Sequence, residues 1–498
     1  MTFSLKYNKE TWLTLGFSLL FVLINGFLIS KEFYYLNLIP WFLLIMTVAF
    51  YSVDFILLLI VFLTPLSIKL SEIISGLGAD LHMPTEPLLA GVLLLVIFKH
   101  FQGQGFDRKI ITHPVSIAIY LNLIWLLLTT ITSSMFLVSL KFLIARIWFL
   151  IAFYFLATQL FKSDGNMRKY IWLYTLSMSI VIGIVLFKLS NYGFFNQRAA
   201  HLVVRPFFVD HTSYGAILAF LAPVIAGFIF SDPKIKGFLR IFVIIVFALL
   251  MLGIIFSYTR AAWVSLLSAI IIFILVKLNI RFSFLAAIGL VVFLFIFSYW
   301  QEIIIKLEQN RQDSSKELAE HVKSISNVTT DASNLERLNR WSCAWRMFKE
   351  KPIFGWGPGT YMFQYAPFQI SRERTEISTN FANLGNAHSE YIGPLAESGF
   401  LGTLTFLAIV ISTLITGFRV YRTAVNSFIK NLSLFLLLGL ITYYIHGMMN
   451  NFLDTDKASA LFWGYTAMLV AMDVYHKKRN NENRNPETVK NDMPIIGS

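Results

Sequence analysis

His388 stands in Asn386-Ala387-His388-Ser389-Glu390-Tyr391, where the one long polar stretch inside the chain gives way to an apolar run. An imidazole titrates close to neutral pH and accepts a proton from a hydroxyl within hydrogen-bond reach, which makes His388 a candidate general base. Further on, Gly399-Phe400-Leu401-Gly402 supplies the small residues that let a membrane helix approach its neighbours closely. The bland alternative is a helix-capping histidine. His211, beside Asp210, and His446 compete for the same role, the first because the neighbouring carboxylate could orient it. No spacing of histidines or acids matches a metal-ligand pattern. The single cysteine, Cys343, excludes an internal disulfide.

Two arginines complete the candidate chemistry. Arg260 ends Ser257-Tyr258-Thr259-Arg260, a tight turn between apolar runs, and Arg205 precedes Pro206-Phe207-Phe208-Val209-Asp210-His211. A planar guanidinium binds phosphate in bidentate fashion, so two of them beside an embedded helix suit a lipid-linked pyrophosphate. The alternative for Arg260 is an interfacial anchor that snorkels to headgroups. Lys141 and Arg146 interrupt an apolar run; each such charge costs about 3 kcal/mol to insert, so function is the default reading. They would contact the same phosphates or pair with an acid such as Asp54 or Glu86. Arg337 and Arg340 rank lower, because an exposed helical face explains them equally well.

The elements that must position these groups are transmembrane. The chain has 498 residues, 56% hydrophobic and only 14% charged, which removes it from the soluble globular class. Its apolar residues come in continuous blocks, the mark of an all-α polytopic membrane protein and not of an alternating β-barrel. Fourteen candidate spans can be drawn, at 12–30, 34–51, 53–68, 86–101, 114–131, 138–161, 169–188, 212–230, 239–256, 262–278, 282–300, 399–417, 432–450 and 458–475, giving about 12–14 helices. The first has no cleavage site and reads as a retained helix.

Lys and Arg recur in alternate short loops, at 99–109, 162–169, 234–240, 277–281 and 419–430, and in the tail His476-Lys477-Lys478-Arg479. The opposite loops carry only isolated basic residues. The positive-inside rule then puts both termini in the cytoplasm and makes the formal +13 a topogenic signal, excluding nucleic acid as a partner. Arg205, Arg260 and His388 fall together on the outer face. The expected organisation is helices over 1–300, a large outer-loop subdomain over 301–388, C-terminal helices over 389–476 and a polar tail over 477–498.

His388-Ser389, nine residues, then Gly399-x-x-Gly402 resembles the pattern of the O-antigen ligase and polymerase superfamily. Arg340-Trp341 followed by Pro352-Ile353-Phe354-Gly355-Trp356-Gly357-Pro358-Gly359 resembles that family's large periplasmic loop, and Ser257-Tyr258-Thr259-Arg260 its Ser-x-(Ser/Thr)-Arg turn. The resemblance implies a GT-C-like membrane fold in the bacterial inner membrane. It also implies a metal-independent, cofactor-free, inverting glycosyl transfer from an undecaprenyl-diphosphate-linked glycan. His388 would deprotonate the acceptor, on lipid A-core or a growing glycan, while Arg260 and Arg205 would hold the diphosphate. Arg146, Lys141, Arg340 and His211 follow as second-tier substrate contacts. The competing class is a lipid-linked oligosaccharide flippase, but such carriers show two similar halves, and the sequence has no internal repeat.

Overall fold

The computed structural model describes residues 9–31, 36, 52–73, 81–103, 105–279, 291, 332–375, 378–379 and 385–476. The expected spans 34–51 and 282–300 lie outside these, apart from Leu36 and Val291, as do 301–331 and the tail from 477. The chain divides into two units, Met1–Ile56 and Leu57–Ser498. The first holds α1 (Lys9–Ile29), whose apolar residues are exposed along its length.

Among the described residues nine helices are long and apolar enough to cross a membrane. Besides α1 they are α4 (Pro114–Ile131), α5 (Phe136–Leu160), α6 (Asp164–Ser190), α8 (His211–Ser231), α9 (Phe238–Phe256), α10 (Arg260–Lys277), α12 (Ile392–Thr423) and α13 (Ser427–His446). Shorter or less apolar helices fill the rest: α2 (Val53–Leu63), α3 (Thr85–Phe101), the single-turn α7 (Gln197–Leu202), α11 (Ala332–Glu350) and α14 (Asp456–Tyr475). The only strands among the described residues are Ile68–Lys69 and His82–Met83, paired antiparallel. This is an all-α polytopic membrane fold.

Local sequence sets the helix boundaries. Asp210 caps α8 by accepting from the Ser213 amide at 2.7 Å, and Asn426 caps α13 through the Phe428 amide at 2.9 Å. Pro114 sits in the first turn of α4, where its missing amide costs nothing. Helix α14 is buried over nearly its whole length, against α12, α13 and α5. Because it faces protein and not lipid, it tolerates Asp456 and Lys457. Asp456 accepts from Ser67 and Thr85 at 2.5 and 2.6 Å, and Lys457 donates to the Ser67 hydroxyl at 2.6 Å. At the opposite end of α14, Asp473 holds Arg419 at 2.6 Å and His113 at 3.3 Å.

Candidate active site

Helix α12 is broken. Gly399 has φ +68° and ψ −169°, inside what is otherwise one helix of 32 residues. A break frees carbonyls that the hydrocarbon cannot satisfy, so protein must. The glycine-rich turn does this: Trp356 and Gly357 donate their amides to the carbonyls of Ala396 and Glu397 at 3.0 and 2.8 Å. The Trp125 indole of α4 takes the Ser398 carbonyl at 2.8 Å. In return the Pro352 carbonyl accepts the Phe400 amide at 3.0 Å. The run 352–359 is thus a brace for the broken helix, and it fixes the chain immediately upstream, where His388 lies.

His388 itself occupies the left-handed region, φ +49°, a conformation that histidine adopts more readily than most non-glycine residues. Its amide bonds the Asn386 side chain at 3.1 Å, closing a tight turn. Ser389 Oγ then accepts the amides of Tyr391 and Ile392, both at 3.3 Å, and starts α12. Glu390 is pinned from below by the Tyr443 hydroxyl at 2.6 Å and the amides of Phe452 and Leu453, each at 2.8 Å. Among the described residues no hydrogen bond or ion pair engages the His388 ring, which leaves it available to a bound molecule.

Arg260 opens α10 from a turn built the same way. Tyr258 has φ +51°, and Thr259 Oγ1 donates to the His211 carbonyl at 2.8 Å. Gly215, one turn into α8, has no room for a side chain because Thr259 fills the space where a Cβ would sit. Arg260 is thereby tied to the start of α8.

Helix α11 brings a second guanidinium. Its buried stripe runs Glu336, Asn339, Arg340, Cys343, Ala344 and Met347, the spacing of one helix face. The lower half joins Tyr361, Tyr365, Ala387 and Ala396 in a small apolar core directly under the His388 turn. The upper half is polar. Arg340, buried rather than on an exposed face, donates to Glu336 at 2.6 Å and Thr379 at 3.0 Å, and lies 4.0 Å over the Tyr365 ring. Arg337, one helix position off the stripe and half-buried, donates from Nε to the Met449 carbonyl at 3.2 Å.

These groups act on one another electrostatically. Burial, followed by the charges of Arg337 and Arg340, pushes the His388 imidazole down to about 4, so it is neutral at neutral pH. Burial, followed by the charge of Arg260, brings Arg337 down to about 10, and it stays cationic. Arg337 and Arg260 also both act on His211, and Arg337 acts on His446. One end of the bundle therefore gathers Arg260, Arg337, Arg340 and a neutral imidazole, with the carboxylates of Asp210 and Glu336 acting in the opposite sense, an arrangement able to bind an anion and take a proton beside it.

The other sequence candidates are exposed or held by other partners. Arg205 is exposed; its carbonyl receives Lys188 Nζ at 2.9 Å, while its side chain makes no hydrogen bond or ion pair among the described residues. Lys141 is also exposed. Arg146 pairs at 2.7 Å with Asp454, not with Asp54 or Glu86 as the sequence suggested, because the loop before α14 folds back against α5. Asp210 does not orient the adjacent His211, since its carboxylate is taken up in capping α8. His211 instead stacks on His201, centroids 3.6 Å apart and 8° from parallel. His446 is buried, with Nε2 3.1 Å from Asn450. No group of three or more His, Cys, Asp or Glu side chains among the described residues could hold a metal ion.

Fold and site together define a polytopic membrane protein with a cationic, histidine-bearing centre at one end of its helices. Residues 245–407 match the family model described as O-antigen ligase, which supports placing the chain in the O-antigen ligase superfamily. That stretch contains Arg260, Arg337, Arg340, His388 and the break at Gly399. The match supports an O-antigen ligase- or polymerase-like role in surface polysaccharide biosynthesis. No curated protein matches the chain.

Proposed function

We propose that the protein transfers a glycan from an undecaprenyl-diphosphate-linked donor to an acceptor hydroxyl at the His388 end of the membrane, on the periplasmic face of the bacterial inner membrane. The acceptor oxygen attacks the anomeric carbon, its proton passes to His388, and the bond from that carbon to the diphosphate oxygen breaks with inversion. The lipid diphosphate leaves with the bonding electrons. Arg260 and Arg337 hold it, with Arg205 at the rim; preorganised cations supply the charge stabilisation a metal would otherwise give. The observation that carries this reading is the neutral, unbonded His388 imidazole under the field of Arg337, itself coupled to Arg260. Binding of the anionic diphosphate offsets the arginine charges and so strengthens His388 as a base in the complex where a base is needed.

The acceptor is lipid A-core in the ligase reading and a growing glycan in the polymerase reading; the same donor centre serves both. The test is complementation of a deletion host with His388→Ala and Arg337→Ala, with surface glycan read on gels and insertion checked by immunoblot. Normal insertion with loss of mature glycan is expected. Long chains left on the lipid carrier identify a ligase, and single repeat units on core identify a polymerase. Unchanged glycan from both variants contradicts the reading.

A further inference from the structure

The tip of the brace, Ile353-Phe354, is apolar and unburied: Ile353 is 60% exposed and Phe354 43%. Water would be a poor neighbour for such a pair, yet the backbone on either side is fixed to α12 and cannot turn it inward. The Phe354 ring stacks on Trp125 of α4, centroids 5.6 Å apart and 11° from parallel. Trp125 lies six residues before the end of α4, about 9 Å down the helix axis at 1.5 Å per residue. The tip therefore sits well below the end of a membrane-spanning helix, not above it.

Its surroundings at that depth face outward. On α4, Ile117, Leu121, Ile124, Leu128 and Ile131 form an exposed stripe at helical spacing. On α12, Phe400, directly bonded through its amide to Pro352, begins another with Leu404. Both stripes belong to helices long and apolar enough to cross the bilayer, so they face lipid, and the tip continues that surface between them. Upstream, Lys351 and Lys349 lie over the Trp356 and Trp345 rings at 3.9 and 5.8 Å, the pairing of aromatic body and cationic head that favours a membrane interface.

We infer that Ile353 and Phe354 are a membrane wedge: they insert among the acyl chains of the leaflet on the His388 side and seat the polar segment that carries Arg337 on that leaflet. The backbone flanking the wedge is held by protein, Pro352 accepting the Phe400 amide and Lys351 the Gly355 amide, in keeping with the requirement that non-helical backbone at membrane depth be satisfied by protein. The occupant is phospholipid hydrocarbon, and it bears on placing the α11 cations at headgroup depth.

The test uses the purified full chain in vesicles containing a phospholipid with a photoactivatable diazirine in its acyl chain, with adducts mapped by mass spectrometry. The expected result is labelling at Ile353–Phe354 comparable to that on the outward stripe of α4, and loss of it in an Ile353→Asn, Phe354→Asn double variant whose α4 labelling is unchanged. The unchanged α4 labelling reports that the double variant keeps its fold although the Phe354–Trp125 stack is lost. Labelling of α4 and α12 with none at Ile353–Phe354 in the unsubstituted chain overturns the inference, and leaves the tip to water or a protein partner.

Discussion

Gly399 of α12 lies against the backbone carbonyl of Ile353, close enough that a Cβ on Gly399 would collide with it. The contact joins the helix break to the glycine-rich brace, and through them sets where the His388 turn stands. A Gly399→Ala substitution meets two penalties, the collision and a positive φ of +68°. It should destabilise the protein by about 1–3 kcal/mol, seen as an earlier loss of monodisperse protein on heating in detergent. An unchanged thermal profile contradicts the account of the brace.

Removing the Glu390 carboxylate should act on a different support. Glu390→Ala leaves the amides of Phe452 and Leu453 and the Tyr443 hydroxyl buried without their acceptor, at about 1–3 kcal/mol for each group left unsatisfied. Glu390→Gln keeps an acceptor and loses less. Burial, followed by the neighbouring Asp454, raises the Glu390 carboxyl above its usual range. A carboxyl raised on folding contributes stability below its unfolded value and loses it as pH rises through the folded one. The difference in stability between the parent and Glu390→Gln should therefore shift against the parent on going from mildly acidic to neutral pH, read from paired thermal scans.

The pH dependence of transfer follows from His388. With its imidazole at about 4 in the free protein, kcat/KM should keep its plateau well below pH 6.5 and fall only as His388 protonates. Arg337 and Arg340 disfavour the imidazolium, so Arg337→Gln must move that acid limb to higher pH while lowering the plateau. A limb that does not move on removing Arg337 contradicts the coupling between the two residues.

Loss of Arg337 should also cost transfer directly. Removing one charged donor from a developing anion typically costs about 100- to 1000-fold, and Lys, a point charge without the planar fork, should restore only part of it. Arg205→Ala, which removes an exposed side chain, should cost less. Equal losses in assays of kcat/KM for the two alanine variants would mean that both arginines hold the diphosphate.

Much of this was legible in the sequence. Continuous apolar blocks announced the helices, and the small residues at Gly399 and Gly402 announced a close approach, although the break itself was not foreseen because Gly399 reads like any other packing glycine. The sequence ranks Arg340 low, as a residue of an exposed face, for a physical reason. Apolar periodicity finds a buried face only when that face is apolar, and the stripe on α11 begins Glu336, Asn339, Arg340 before it turns to Cys343, Ala344 and Met347. The signal that was present lay in the spacing, since these positions share one face whatever their polarity. The pairing of Arg146 with Asp454 joins residues 308 positions apart, and nothing local in either stretch could have selected that partner over Asp54 or Glu86. The stacking of His201 on His211 depends on the path of the segment between α7 and α8, which carries no periodic pattern.

The central claim is that His388 takes the acceptor's proton beside a diphosphate held by Arg260 and Arg337. Single-turnover transfer from a purified lipid-diphosphate-linked glycan, in proteoliposomes of the parent and of His388→Asn, tests it most directly when donor binding is measured on the same vesicles. The account predicts that binding stays close to the parent's while transfer falls by about 100- to 10,000-fold, the range for loss of a general base. Transfer at the parent's rate with binding intact would contradict it, and would return His388 to the role of a turn residue.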